Sequence, residues 1–282
     1  MMTNIEIVFY CDPSGLASRH LFLKELVRRK QEEPLKDSML YLTPSEQAAR
    51  TLGVTVADSL ETAFSFRTFT LRQLKNLLSR ANLSLPRPAS RLVRTIVAAE
   101  AVRECRKRGK LSSLYRDMPA HGLTRYLVRL FSEIYASGIA SNPKGEKASN
   151  CISSRLSSDL YQLFKAFSSN LEHRGFIDPE ALFALLADDL EQGRVTHQVV
   201  RDANLLVVEN PAELTEPLKR FLGALAKTVG TTWISLPVSH PPGAEKDIHS
   251  IDLHFHRLAE EIVHRYVQPH QVSWQQLEIP ER

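Results

Sequence analysis

The stretch Ile5-Glu6-Ile7-Val8-Phe9-Tyr10-Cys11-Asp12-Pro13-Ser14-Gly15-Leu16-Ala17-Ser18 carries three local instructions in fourteen residues. Ile5 to Tyr10 is β-branched and aromatic, which favours a strand. Cys11 to Gly15 is turn chemistry. From Ala17 to Lys30 the apolar residues Leu21, Phe22, Leu26 and Val27 recur at helical spacing. A strand, a turn with Gly and a helix form the setting of a phosphate-binding loop. The working pattern there is GxxxxGK[ST], in which backbone N–H groups wrap the phosphates, Lys meets the outer ones and Ser/Thr holds magnesium. Laid on Cys11–Ser18, the pattern loses both glycines, to Cys11 and Leu16, and its Lys, to Ala17. Ser18 alone fits, and Ser14 and Gly15 complete the remnant loop. Leu16 places a branched side chain where backbone must approach phosphate. Ala17 removes the cation and Asp12 adds a negative charge. The helix N-terminus survives, but phosphate binding is expected to be weak. No catalytic residue and no cofactor are expected.

Further strand–helix units follow. Ser38-Met39-Leu40-Tyr41-Leu42 reads as a strand. Thr43-Pro44-Ser45-Glu46 reads as a helix start with Thr43 as cap, for a short helix through Leu52. Ala63-Phe64-Ser65-Phe66 reads as another strand. Thr70-Leu71-Arg72-Gln73 is a capping box opening a helix to about Ala81. From there to about Val200 only helical patterns occur, over Ser90–Lys107, His121–Ala136, Asp159–Arg174 and a helix capped by Asp178. Ser137–Ser158, rich in Ser, Gly, Asn and Lys, reads as a linker or exposed loop.

The strand pattern then returns. Leu205-Leu206-Val207-Val208-Glu209 is a continuous apolar run ending in a carboxylate, as suits a strand covered on both faces. Glu216–Val229 is helical, and Thr231–Pro237 is a strand. A strand near Ile251–Phe255 and a helix near Leu258–Val267 follow. The layout predicts an α/β fold: a P-loop NTPase-like (RecA-like) parallel sheet covered by helices, with a large all-helical insertion. Residues 1–70 and 201–250 are expected to form the core, 71–200 the insertion, and 251–282 the start of a following segment or a tail. Ligands of such sheets bind at the carboxyl ends of the strands, which points to the loops after Tyr10, Leu42 and Glu209. Glu209 stands where a magnesium-orienting carboxylate would lie, but no second acid follows at Asn210.

Composition narrows the classes. With 282 residues, 43% hydrophobic and 24% charged, the chain can bury a core. No apolar run reaches the roughly 18–20 residues of a membrane span. Cys11, Cys105 and Cys151 are dispersed and odd in number, which fits a reducing cytoplasmic setting rather than a disulfide framework or zinc site. His254 and His256, on one face of the expected strand, have no Cys or carboxylate pair to complete a metal site, and no metal is expected. Charge is unevenly spread. From Arg67 to Arg129 there are 15 Lys/Arg against three acids, +12, so the net +4 of the whole leaves −8 for the remainder. Such segregation is the footprint of a polyanion contact, or of a solvated helical surface whose Arg stems cover apolar groups.

Several segments together resemble the N-terminal helicase-like domain of AddB/RexB-type proteins, the nuclease subunits of bacterial double-strand-break repair complexes. That domain looks like an inactivated superfamily 1 helicase. Met39–Gln47, ending Thr43-Pro44-Ser45-Glu46-Gln47, is similar to the family's "VPEQ" segment. Phe66–Leu74 resembles the strand and helix that follow. Asp159–Leu190, with Leu171 and Phe176-Ile177-Asp178, is similar to its helix pair around a "YxD" turn. Val208–Thr215 is similar to "DGFxxFT", with Glu209 at the Asp and Leu214-Thr215 at the Phe-Thr. His256–Ile262 resembles a later segment. The chain departs from the many AddB proteins that keep a usable Walker A motif. It also has no counterpart of the C-terminal nuclease with its metal and iron–sulfur ligands, so the resemblance implies a fragment or a shortened relative.

The resemblance implies a non-catalytic domain of a helicase–nuclease that binds DNA without reading sequence and partners an AddA-type helicase subunit. Arg91, Arg94, Arg103, Arg106, Lys107, Arg108 and Lys110 are the expected phosphate contacts. The alternatives are a residual NTPase, or a transferase that uses the same fold differently, with Ser18 and Glu209 as the residues that support it, or a module that docks an acidic protein.

Overall fold

A computed structural model of the chain describes residues 5–33, 38–60, 68–82, 84–140, 158–195, 197–211, 214–243 and 250–277. The chain forms two compact units. The first comprises 1–81, 187–214 and 219–282; the second comprises 82–186 and 215–218. The sequence reading places the changes of organisation near 70 and 200, while the compact units change over at Ala81/Asn82 and Leu186/Ala187.

The first unit is built on a six-stranded, all-parallel sheet. Strand β1 (Glu6–Cys11) leads into helix α1 (Leu16–Glu32); β2 (Met39–Leu42) leads into α2 (Glu46–Ser59); β3 (Thr68–Phe69) leads into α3 (Leu71–Ala81). After the second unit the chain re-enters through α8 (Ala181–Glu191), which straddles the boundary, and the short α9 (Gln198–Arg201). Then come β6 (Leu205–Glu209), α10 (Glu216–Val229), β7 (Thr231–Leu236), α11 (Ser250–Glu260) and β8 (Gln271–Gln276). The spatial order is β3-β2-β6-β7-β1-β8.

Every residue of β2 and β6 is buried, which is why both read as unbroken apolar runs rather than alternating ones. On one face Phe22 and Leu26 of α1 and Leu52 and Val56 of α2 pack on Val8, Tyr10, Tyr41 and Val207. The opposite face lies beneath α11: Trp274 of β8 stacks on Phe9 at 4.6 Å between centroids, and His256 meets Trp274 edge-on at 5.8 Å.

Helix α11 widens into a π-helical run over Glu261–Val267. Gly223 of α10 lies against it: a Cβ there would sit 2.6 Å from Cβ of Tyr266. Only glycine permits that approach.

Helix starts follow the sequence closely, with one shift. Thr70 and Gln73 form a reciprocal capping box, Thr70 N–H donating to Oε1 of Gln73 (2.9 Å) and Gln73 N–H to Oγ1 of Thr70 (3.2 Å). Before α2 the cap is Ser45, whose Oγ accepts from Ala48 N–H at 3.1 Å. Thr43, the expected cap, is buried, and its N–H bonds to the Phe69 carbonyl at 2.9 Å. The strand expected at Ala63–Phe66 lies outside the described residues.

The C-terminal expectation is corrected. Ile251–Phe255 is helix, not strand. Residues 250–277 belong to the first unit, and within them Gln271–Gln276 pairs with β1 as the sheet's edge strand. Ile251, Leu253 and Phe255 alternate with Asp252, His254 and His256 in sequence, but a helix turns His254 and His256 about 200° apart. His254 is exposed and His256 buried, its Nε2 within 2.9 Å of the His240 carbonyl.

The second unit is helical but not wholly so. It contains α4 (Arg91–Lys107), α5 (Ser113–Asp117), α6 (Ala120–Ala136) and α7 (Ser158–His173). It also has a two-residue parallel pair, β4 (Arg87–Pro88) with β5 (Phe176–Ile177). Its core joins Val97, Ala101 and Val102 of α4 to Leu123, Leu127 and Phe131 of α6 and to Leu163 and Phe167 of α7. Among the described residues no helix is long and apolar enough to cross a membrane.

Candidate functional site

In the first unit, β1 and β7 are neighbours whose onward connections leave over opposite faces. Chain direction therefore diverges at their carboxyl ends, where parallel sheets hold their ligands. Asp12 follows β1 directly, and its N–H bonds to the Leu236 carbonyl at the end of β7 (3.1 Å).

Asp12 is fully buried, and its carboxylate fills the amino end of α1. Oδ1 accepts from Ser14 N–H (3.2 Å) and Ser14 Oγ–H (2.8 Å). Oδ2 accepts from Ser18 N–H (2.7 Å) and Ser18 Oγ–H (2.8 Å). Leu16 N–H goes to Ser14 Oγ, and Gly15 N–H to the Asp12 carbonyl. The N–H groups of Ser14, Gly15, Leu16 and Ser18 are therefore occupied from within rather than open to a phosphate. Burial alone would raise the Asp12 pKa. The N–H and O–H donors of Ser18 and Ser14 outweigh it, and the carboxyl is held below its ordinary value.

Gly15 makes this turn possible. Its φ is +69°, and a Cβ there would lie 3.1 Å from Nδ2 of Asn210. Asn210 follows β6, itself has φ +46°, and its N–H bonds to Oγ of Ser235 at 3.1 Å.

Glu209, at the end of β6, is 3% exposed, and its Oε1 accepts from Nε of Arg19 at 2.5 Å. The hydroxyl of Tyr41, buried nearby, has no hydrogen-bond partner among the described residues. Burial, then the charge of Glu209, push that phenol up, against the opposing pull of Arg19. The structure thus brings together the loops after β1 and β6. The loop after β2 is instead tied to β3 through Thr43. Arg19 and the filling role of Asp12 escaped the sequence reading. The signal for Asp12 was present in the serines two and six residues after it, spaced to place both donors on one carboxylate.

Cys11 and Cys105 are buried free thiols, and Cys151 lies outside the described residues. Burial, with Asp252 nearby, pushes Cys11 up to about 12. Among the described residues no cluster of three or more His, Cys, Asp or Glu is placed to hold a metal ion.

In the second unit the seven basic residues separate by geometry. Arg94 turns inward, its Nη1 2.6 Å from Ser132 Oγ and 3.4 Å from Oδ2 of Asp178. Asp178 is 1% exposed; burial raises its pKa, with Glu180 N–H and Arg94 opposing. Arg106 donates through Nη2 to the carbonyls of Tyr115 (3.0 Å) and Met118 (2.5 Å). Both therefore bind protein rather than face solvent. Arg91, Arg103, Lys107, Arg108 and Lys110 are exposed, with Arg108 paired to Glu104 at 2.7 Å.

No protein-family model matches this chain, and no curated protein matches it.

Proposed function

We propose that this chain is a non-catalytic, RecA-like domain that holds nucleic acid, acting as the AddB-like helicase domain of a DNA-repair helicase–nuclease. The observation that carries the non-catalytic part is the Asp12 carboxylate in the amino end of α1. A nucleotide phosphate would have to displace a buried anion held by four donors, with no Lys at Ala17 to offset the repulsion. Glu209, already neutralised by Arg19, is not free to orient magnesium. The RecA-like assignment is supported by the parallel order β3-β2-β6-β7-β1-β8, in which the loop-bearing strand and the Glu209 strand are separated by one strand.

The nucleic-acid part is supported by the exposed cations Arg91, Arg103, Lys107 and Lys110, in a stretch with few acids. They suit phosphates without base reading. An AddA-type helicase subunit and DNA ends are the partners this reading names. The test joins two assays on the whole chain. DNA-stimulated ATP turnover is expected to be absent. Single-stranded and duplex DNA are expected to bind at low salt, and failure of both to bind sinks the nucleic-acid part.

One observation favours a second reading, a protein-docking module. Leu92 and Ile96, on the same helix as the cations, are 69% and 46% exposed. An acidic, apolar partner would cover both. Co-purification with a helicase subunit that survives nuclease digestion and is lost in Leu92→Ser/Ile96→Ser would favour this reading.

A further inference from the structure

The second unit contains a cleft of about 250 Å³ between the carboxyl end of α4 and one face of α7. We infer that this cleft is a binding site for a terminal phosphate, a phosphomonoester dianion.

Three cations converge on it from two segments: Arg108 and Lys110 follow α4, and Lys165 lies on α7. Glu104 is the one acid in the lining, so the lining carries a net charge of three minus one, +2. A phosphomonoester carries about −1.5 to −2 at neutral pH, which this balance matches. Arg108 is steadied by Glu104 at 2.7 Å, and Glu104 is within 3.4 Å of Nδ2 of Asn170. Lys110 Nζ rests 3.4 Å from Oε1 of Gln162, and Lys165 forms no ion pair among the described residues.

The cleft is also fixed in shape. Lys110 N–H bonds to the Cys105 carbonyl at 3.0 Å, and Ser112 N–H bonds to Oδ2 of Asp159 at 2.9 Å, anchoring the segment that bears Lys110 to the start of α7. Cys105 lines the floor; burial first, then Glu104, hold its thiol protonated, against Lys110 and Arg108. A neutral thiol leaves an incoming anion unopposed.

Size and lining specify the phosphate rather than the rest of a nucleotide. The volume lies below the ~300 Å³ at which drug-sized pockets begin. No aromatic side chain lines the cleft, so a base has no platform for stacking. The phosphate could belong to a phosphorylated nucleic-acid end or to a small free phosphate. Only the first source rests on the nucleic-acid reading above.

The experiment uses the whole chain and its Lys110→Gln/Lys165→Gln variant. Both lysines are exposed, and an unchanged melting curve verifies the fold. Anisotropy compares one 3′-labelled oligothymidine carrying either a 5′-phosphate or a 5′-hydroxyl. Calorimetry titrates inorganic phosphate at pH 8.

The expected result is about tenfold tighter binding of the phosphorylated end. That preference should vanish in the variant, while hydroxyl-end binding weakens only as far as the loss of the one phosphate contact at Lys110 requires. If neither oligonucleotide binds, the nucleic-acid reading fails, and the phosphate titration decides the cleft. Saturable phosphate binding lost in the variant then upholds it with a small phosphate as the source, as it does if the two ends bind equally. Equal affinity for the two ends, or no binding of either, together with no saturable phosphate binding overturns the inference. So does any such preference or binding that the variant retains.

Discussion

The carboxylate of Asp12 accepts two backbone N–H and two hydroxyl bonds while fully buried. Asp12→Ala removes the acceptor and strands those donors, which should cost about 2–4 kcal/mol in urea denaturation at pH 7. The pH dependence has a definite sign. The folded-state pKa is depressed, so the stabilisation is complete above the unfolded value of about 3.9 and is lost as pH falls through the folded one. The gap between wild type and Asp12→Asn should therefore hold from pH 7 to about 4 and close only below that. Gly15→Ala should cost about 1–2 kcal/mol for its left-handed backbone alone, with more from the 3.1 Å approach to Asn210. A melting temperature equal to wild type would contradict this account of the turn. At this scale the sequence marked the loop but not how Asp12 fills it. Asp12 was legible as a negative charge, but its use as the ligand of its own helix depends on how Ser14 and Ser18 fold back, which periodicity does not report.

At the scale of elements, α4 divides its cations between inward-bonded and exposed positions. Arg94→Ala should destabilise the second unit by about 2–4 kcal/mol by leaving Asp178 buried without its counter-charge. Arg91→Gln, Arg103→Gln and Lys107→Gln should each change stability by less than about 0.5 kcal/mol. Thermal melts of the four variants make that comparison. The division could not be read from spacing, because Ser132 and Asp178, the partners of Arg94, lie 38 and 84 residues away. Strand β8 shows the same limit. Gln271–Gln276 carries four polar residues because an edge strand keeps much of its surface in water. By composition it gives no strand signal. Its place is fixed by pairing with β1 and by Trp274 on Phe9. Trp274→Ala should cost about 1.5–3 kcal/mol, seen as early loss of the first unit on heating. By contrast β2 and β6 were legible as unbroken apolar runs because strands buried on both faces are apolar, and β1 and β7 by their β-branched and aromatic content.

Across the whole molecule, the chain leaves its sheet after α3, builds a helical unit with its own core, and returns through α8 to complete the sheet. The basic stretch belongs largely to that helical unit, and the loop closed by Asp12 belongs to the sheet. Holding a polyanion therefore requires no nucleotide chemistry, which is the central claim. The most direct measurement is the affinity for single-stranded DNA across a series of salt concentrations. Arg91, Arg103, Lys107 and Lys110 are exposed, and four released counterions predict a slope of log K against log salt of about −3. The slope should fall by about 2 in the triple variant Arg91→Gln/Arg103→Gln/Lys107→Gln. Absence of binding at low salt, or binding that is insensitive to salt and unchanged in the triple variant, would contradict the account.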